Sequence, residues 1–173
     1  MGGGPLLIDG GKFMDTYVEE LFNGTSGIGP DSNQPRTAMG VTADGKMILF
    51  VCEGRQMTEG VAGLTTADVA NVLLDLGCVE AINLDGGGST TFVARQPGSD
   101  ELTVMNRPSD GYPRNVSTNL LMYSTAPSST AFDHANLVSA TKLVTIGTSL
   151  QITAEGISAT GNITDLPEGY TWA

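Results

Sequence analysis

Apolar positions along the chain follow two different periods. Residues 38–42 (AMGVT) and 47–52 (MILFVC) are short apolar runs flanking Asp44-Gly45, a strong β-hairpin signal. The second run is apolar at all six positions, which predicts a strand covered on both faces. Over 64–77 the period lengthens, and Val69, Val72, Leu73 and Leu76 make one stripe of a helix. Thr65 with Asp68 three residues on predicts a capping box, and Gly77 the helix end. Residues 80–84 (EAINL) then read as a short strand, completing a strand–helix–strand unit. Further strands are expected near 90–94, 101–105 and 116–123, and a helix over 14–22.

The run from Ser124 to Thr130 is rich in Ser, Thr and Pro and reads as a linker. Beyond it, apolar and polar residues alternate around glycine turns, as in strands of a β-sandwich. Some forty residues are too few for a sandwich of about seven strands. The fold class expected is α/β (α+β): a mixed sheet with a strand–helix–strand unit and hairpins, then a truncated β-sandwich segment. The expected domains are residues 1–124 and 131–173, joined by a linker at 125–130.

Charge narrows the function. Nineteen acidic against eight basic residues among 173 give a net charge of -11. Nucleic acid is excluded as a partner, because phosphate contact needs clustered Lys and Arg. An anionic substrate would need a locally basic site, which directs attention to the five arginines. No run of eighteen apolar residues is present, so no transmembrane helix is expected. The opening MGGGPLLIDGG has neither the basic nor the apolar region of a signal peptide. Cys52 and Cys78 cannot build a zinc site and fit no redox motif. If their strands run parallel they lie at opposite ends of the sheet, and both stay free thiols. A Ser-His-Asp triad through Ser89 would need His134, and no G-x-S-x-G turn is present. Carboxylates and arginines remain.

The stretch NLDGGGSTTFV (83–93) places Asp85 before three glycines. No Gly-Lys-Ser/Thr follows, and Ser-Thr-Thr-Phe-Val starts a strand better than a helix, so neither a P-loop nor a dinucleotide fingerprint is present. Two readings stay open: a tight turn capped by an aspartate, or a backbone nest that admits an anion. Glu53 and Arg55 close one strand, Arg36 opens the hairpin, and Arg114 sits between Pro113 and Asn115. In a strand–helix–strand unit the residues after parallel strand ends gather at one edge.

The blocks PRTAMGVTADGKMILFVCEGR, GLTTADVANVLLDLGCVEAINLDGGGSTTFV and NRPSDGYPRNVSTNLLMY resemble successive blocks of the phosphodiester glycosidase family, over roughly residues 4–123. The tail from about 131 resembles the start of a bacterial immunoglobulin-like domain. The family resemblance implies an α/β domain whose surface cavity cleaves the bond between a sugar and the phosphate of a diester. It carries Arg36, Asp85, Gly86, Gly87, Gly88, Ser89 and Arg114 over directly, with Arg55, Thr37, Asn83 and Thr90 as further substrate or phosphate contacts. Glu53 stands where the family commonly has aspartate, and with Asp85 forms the implied catalytic pair. Family domains begin with an Asn-Gly-rich motif upstream of what Met1 starts, so a fragment is expected. Extracytoplasmic residence, in surface polysaccharide metabolism, is likewise inferred from the resemblance.

The implied chemistry requires no cofactor, and leaves a divalent cation and the metal question open. Asp85 or Glu53 would face the sugar carbon or activate water, with arginines holding the phosphate charge. Two rival readings stand beside it. One is a non-catalytic sugar-phosphate-binding module. The other is a phosphodiesterase that attacks phosphorus.

Overall fold

The computed structural model describes residues 2–14, 16–23, 27–141 and 144–171. In chain order the strands are β1 (Leu6–Asp9), β2 (Lys12–Phe13), β3 (Arg36–Thr42), β4 (Met47–Cys52), β5 (Cys78–Asn83), β6 (Val93–Arg95), β7 (Leu102–Val104), β8 (Phe132–Ser139), β9 (Ile152–Ser158) and β10 (Ile163–Thr164), with one helix, α1 (Thr66–Asp75). The fold is α+β, and it divides into two compact units: 1–93 with 104–120, and 94–103 with 121–173.

The first unit is built on a five-stranded sheet in the order β2-β1-β5-β3-β4. The hairpin is present: Gly45 takes φ 82°, its N–H donates to the Thr42 carbonyl, and Val41 registers with Met47. The strand–helix–strand unit is present too. β4 and β5 run the same way, but β3 lies between them and is antiparallel to both. Cys52 therefore sits opposite Arg36 at one end of β3, and Cys78 opposite Thr42 at the other. Both are free thiols, Cys78 buried and Cys52 half-buried.

α1 begins where its sequence says it should. The Thr65 hydroxyl accepts from the Asp68 N–H while the Asp68 carboxylate accepts from the Thr65 N–H, closing the capping box. Gly77, at φ 84°, ends it. The buried stripe is Thr66, Val69, Ala70 and Leu73, with Leu76 52% exposed, so the face is rotated by about a turn position from the one expected. Val69, Ala70 and Leu73 pack on Leu7, Ile8, Ala38 and Ala81 from three strands. Each fully buried Leu, Ile or Val contributes about 1.5–3 kcal/mol of transfer free energy, so this layer is the main source of stability in the unit.

Three expectations need correction. β4 is the outer strand of the sheet, and none of its residues is fully buried. Ile48 and Phe50 lean on the core, while Leu49 and Val51 occupy the opposite face. An unbroken apolar run thus marks an edge strand here, with Leu49 and Val51 on the second face half-buried. Residues 16–22 form turns rather than a helix: Val18 and Leu21 are exposed, and Leu21 takes φ 64°. A segment this short needs a packed face to hold a helix. Asp15, within that expected helix, lies outside the described residues. Finally, 116–123 forms no strand and is exposed throughout, since β-propensity without a neighbouring strand makes no sheet.

In the second unit β8, β9 and β10 form an antiparallel sheet in the order β10-β9-β8. Ile157 is fully buried there. Residues 128–130, expected as linker, are tied to the β9–β10 turn: Asn162 Nδ2 donates to Ser128 Oγ at 2.9 Å and the Ser129 N–H to Thr160 Oγ1 at 2.9 Å. β6 and β7 pair as a separate two-stranded hairpin.

Candidate active site

Because β4 and β5 run parallel with antiparallel β3 between them, their C-terminal ends and the start of β3 share one edge. Arg36 registers with Cys52, and Ala38 with Asn83. The chain leaving β5 is the glycine run, and it is pinned back onto the start of β3. The Leu84 N–H donates to the Thr37 carbonyl at 2.8 Å and the Gly87 N–H to the Pro35 carbonyl at 2.9 Å. A cavity of about 570 Å³ opens at this edge. Its lining includes Arg36, Arg55, Asn83, Asp85, the three glycines, Arg114, Phe22 and Gly2–Gly4.

Each glycine of the run has its own reason. A Cβ on Gly86 would stand 2.8 Å from the Pro35 carbonyl oxygen, inside contact with fixed backbone. Gly87 takes φ 59°, a conformation L side chains rarely adopt, and faces the Arg55 guanidinium. A Cβ on Gly88 would overlap Arg114 Nη2 and the Asp110 carboxylate. The run is a tight 3-10 turn, but backbone approach and two arginines dictate its composition. It spends the N–H groups of Gly87, Ser89 and Thr90 on the carbonyls of Pro35, Gly86 and Gly87, and the charged donors in the cavity lining are the guanidiniums.

The three arginines are held differently. Arg36 is buried, and four of its five N–H groups go to the carbonyls of Leu64, Ile28, Gly29 and Ser32 at 2.7–2.9 Å. Its first task is to clamp the 28–32 and 64 segments onto β3, which leaves one N–H without a partner among the described residues. Burial pushes its pKa down, and neighbouring Arg55 adds to that, opposed by Cys52. Arg55 takes φ 61°, left-handed for a non-glycine residue, and its Nε donates to Gln34 Oε1 at 2.6 Å. Strain of this kind costs roughly 1–3 kcal/mol and persists where the surroundings impose it. Arg114 is forked on Asp110, with Nε at 2.8 Å and Nη2 at 2.7 Å from Oδ2.

Among the described residues Asp85 is the single carboxylate in the lining, and it is exposed. With Arg114 paired to Asp110, Arg36 and Arg55 still outweigh Asp85 and make a basic spot on a protein of net charge -11. Asn83 is buried, and its Nδ2 donates to the carbonyls of Gly4 and Leu84 at 2.9 and 3.0 Å. Since both partners only accept, the amide is oriented unambiguously. Its Oδ1 is then an enclosed acceptor with no partner.

Glu53, Thr37, Ser89 and Thr90 are not in the lining. Thr37 and Thr90 bond each other at 3.2 Å, tying the post-glycine segment to β3. Ser89 Oγ lies 3.5 Å from Arg114 Nη1. Glu53 grips Arg107: its Oε1 accepts from the Arg107 N–H at 2.6 Å and its Oε2 from Nε at 3.0 Å. Arg107 also pairs with Glu59. Glu53 is thus placed to anchor the 106–114 loop that carries Arg114. The same backbone N–H and guanidinium hold its carboxyl below the usual carboxylate range. A depressed folded pKa contributes stability above the unfolded value of about 4.3, lost as pH falls through the folded value. Glu53→Gln is therefore expected to lower Tm at neutral pH, with the gap to wild type closing below about pH 4. Thermal melts across pH check this.

Sequence reasoning missed Arg107, Gln34, Asp110 and Phe22. Arg107 lies within one of the quoted blocks, but its partner is 54 positions away. Among the described residues no helix is long and apolar enough to cross a membrane, and no group of three His, Cys, Asp or Glu could hold a metal ion.

Comparison with known proteins bears on the same residues. The phosphodiester glycosidase family profile matches residues 1–123. The human N-acetylglucosamine-1-phosphodiester alpha-N-acetylglucosaminidase is 38% identical over 90 residues, covering 48% of this chain and 16% of its own length. The SPbeta prophage-derived protein YomE of Bacillus subtilis (strain 168) is 34% identical over 82 residues, covering 47% of this chain and 12% of its own. The chain thus spans less than a fifth of the curated relatives it matches. A solved catalytic domain of the zebrafish N-acetylglucosamine-1-phosphodiester alpha-N-acetylglucosaminidase aligns over 63% of this chain and 34% of its own, at 31% identity and a TM-score of 0.49. With the profile covering well over half of it, the chain belongs to the phosphodiester glycosidase family.

Proposed function

We propose that this protein hydrolyses the C1–O bond of sugar-1-phosphodiesters, with N-acetylglucosamine-1-phosphodiesters as the first substrates to try. The observation that carries this reading is the cavity at the sheet edge, whose lining brings Arg36, Arg55 and Arg114 together with the carboxylate of Asp85. Two carboxylates are the rule where the leaving group is a sugar alkoxide that must be protonated. A departing phosphomonoester has a second pKa of about 6, so it leaves without a strong general acid. What it needs is charge stabilisation, which guanidiniums supply as charge-assisted donors. Asp85 is then free to stabilise the cationic anomeric carbon or to activate water. Glu53 serves this reading as a positioning residue and not as the second carboxylate.

Residence outside the cytoplasm, a role in surface polysaccharide metabolism, and an immunoglobulin-like domain starting at about 131 belong to the same proposal. The antiparallel sheet β10-β9-β8 supports the last. The test is incubation with an α-N-acetylglucosamine-1-phosphodiester and analysis of products. Free sugar plus a phosphomonoester of the alcohol is the expected outcome, with the isotope test below assigning the bond; sugar-1-phosphate plus free alcohol contradicts the proposal, and binding without turnover favours a sugar-phosphate-binding module.

Arg55 gives a variant whose stability and activity should part. Arg55→Gly removes the left-handed strain and one hydrogen bond to Gln34. Tm is expected to hold or rise, while KM rises about tenfold or more from the lost charge-assisted contact. Melts and steady-state kinetics on the same preparation read both.

A further inference from the structure

An exposed arginine ordinarily samples many rotamers, and ordering it on binding costs affinity. Arg55 is exposed, yet its guanidinium is already aimed. Its Nε donates to Gln34 Oε1 at 2.6 Å. A Cβ placed on Gly87 would stand 3.1 and 3.2 Å from Arg55 Nη2 and Nη1. Both terminal nitrogens thus front the glycine run that follows Asp85, as a fork suited to two oxygens of one phosphate.

Gln34 can aim Arg55 because it is itself fixed at both ends. Its N–H donates to the Leu64 carbonyl at 3.1 Å, and its carbonyl accepts from the Leu64 N–H at 3.0 Å. The same Leu64 carbonyl accepts from Arg36 Nε at 2.9 Å. At the side-chain end, Gln34 Nε2 donates to Ser32 Oγ at 3.1 Å, and Ser32 Oγ donates to the Gly29 carbonyl at 2.8 Å. With its proton spent there, the Ser32 hydroxyl can only accept from Gln34, so the amide is oriented and Oε1 faces Arg55. The Gly29 and Ser32 carbonyls are in turn held by Arg36 Nη2 at 2.7 and 2.8 Å. The stretch GPDSNQPR (29–36) therefore carries a relay from buried Arg36 through the 29–32 turn to Gln34, and out to Arg55.

We infer that Gln34 is a positioning residue of the anion site: it sets the Arg55 guanidinium before substrate arrives, and Ser32 sets Gln34. The inference rests on reading the arginine cavity as the phosphodiester site. Gln34 is in the cavity lining and Ser32 is not, so variants of the two separate aiming Arg55 from touching the substrate.

The test is a double-mutant cycle on hydrolysis of an α-N-acetylglucosamine-1-phosphodiester. Gln34→Met keeps the length of the side chain and removes its acceptor, and Ser32→Ala removes the hydroxyl that orients the amide. Each is expected to raise KM about three- to tenfold, the cost of ordering one long side chain on binding, with kcat little changed. Neither is expected to raise KM further in an Arg55→Gly background, because residues that act through one contact are not additive. Unaltered KM in both single variants overturns the inference, and so does an equal loss in the Arg55→Gly background. Should wild type hydrolyse no diester, the hydrolase reading fails, and the same cycle is read as the Kd of inorganic phosphate. A loss of phosphate affinity that vanishes in the Arg55→Gly background then supports the aiming role. Wild type that binds no phosphate overturns it.

Discussion

Replacing Asp85 by asparagine is expected to lower turnover of a sugar-1-phosphodiester by roughly 10²-fold or more, the effect of losing a general acid–base group, while Tm barely moves. The substitution keeps the shape of the side chain and its capacity to accept a hydrogen bond. Stability should be indifferent, because Asp85 is exposed and the turn that follows it is held by backbone bonds from Gly87 and Leu84. If the residue served only to cap the turn, asparagine would do as well, since both cap efficiently. The charge is the difference, and a cationic sugar carbon or a nucleophilic water is what would notice it. Kinetics and a melt on the same sample separate the alternatives.

The glycine run gives the second large effect, and it splits by position. Gly88→Ala is expected to cut kcat/KM about 10- to 100-fold, the equivalent of one charge-assisted contact of 1.5–3 kcal/mol. The new methyl would occupy the space of Arg114 Nη2 and the Asp110 carboxylate. Both are ends of flexible side chains, so they swing away and the fold survives. The pair is itself partly exposed, 47% for Arg114 and 25% for Asp110, and such pairs contribute about 0–1 kcal/mol. Gly86→Ala should behave oppositely. Its methyl meets the Pro35 carbonyl oxygen, backbone that also receives the Gly87 N–H. The cost there is overpacking, about 1–3 kcal/mol of stability. Neighbouring glycines would thus report separately on site and fold, by kinetics for one and melting for the other.

Much of the first unit was legible because its determinants are local. Thr65, Asp68 and Gly77 delimit α1 within a dozen residues, and Asp44-Gly45 fixes a hairpin within ten. The gathering of Glu53, Arg55 and Asp85 near one edge also followed from the parallel sense of β4 and β5. What escaped was set by partners distant in sequence. Nothing near Met47–Cys52 says that β4 is an outer strand, because sheet order depends on β1 and β5 joining β3 from the other side. Nothing near Glu53 says that Arg107 will take both its oxygens, so its hold on the 106–114 loop was not legible there. Arg36 carried a comparable ambiguity. A buried guanidinium surrounded by carbonyls is a clamp, and only the 28–32 segment and Leu64 reveal it as such. Residues 116–123 have the composition of a strand, but composition cannot supply a neighbour.

The central claim is that water attacks the sugar and not phosphorus, and isotope placement tests it most directly. Hydrolysis of an α-N-acetylglucosamine-1-phosphodiester in oxygen-18 water, followed by mass spectrometry of both products, locates the new oxygen. Cleavage of C1–O with Asp85 at the anomeric carbon predicts the label in the sugar hydroxyl and an unlabelled phosphomonoester. Label in the phosphate would contradict the account, since it would mean attack at phosphorus and a different reaction at the arginine cavity.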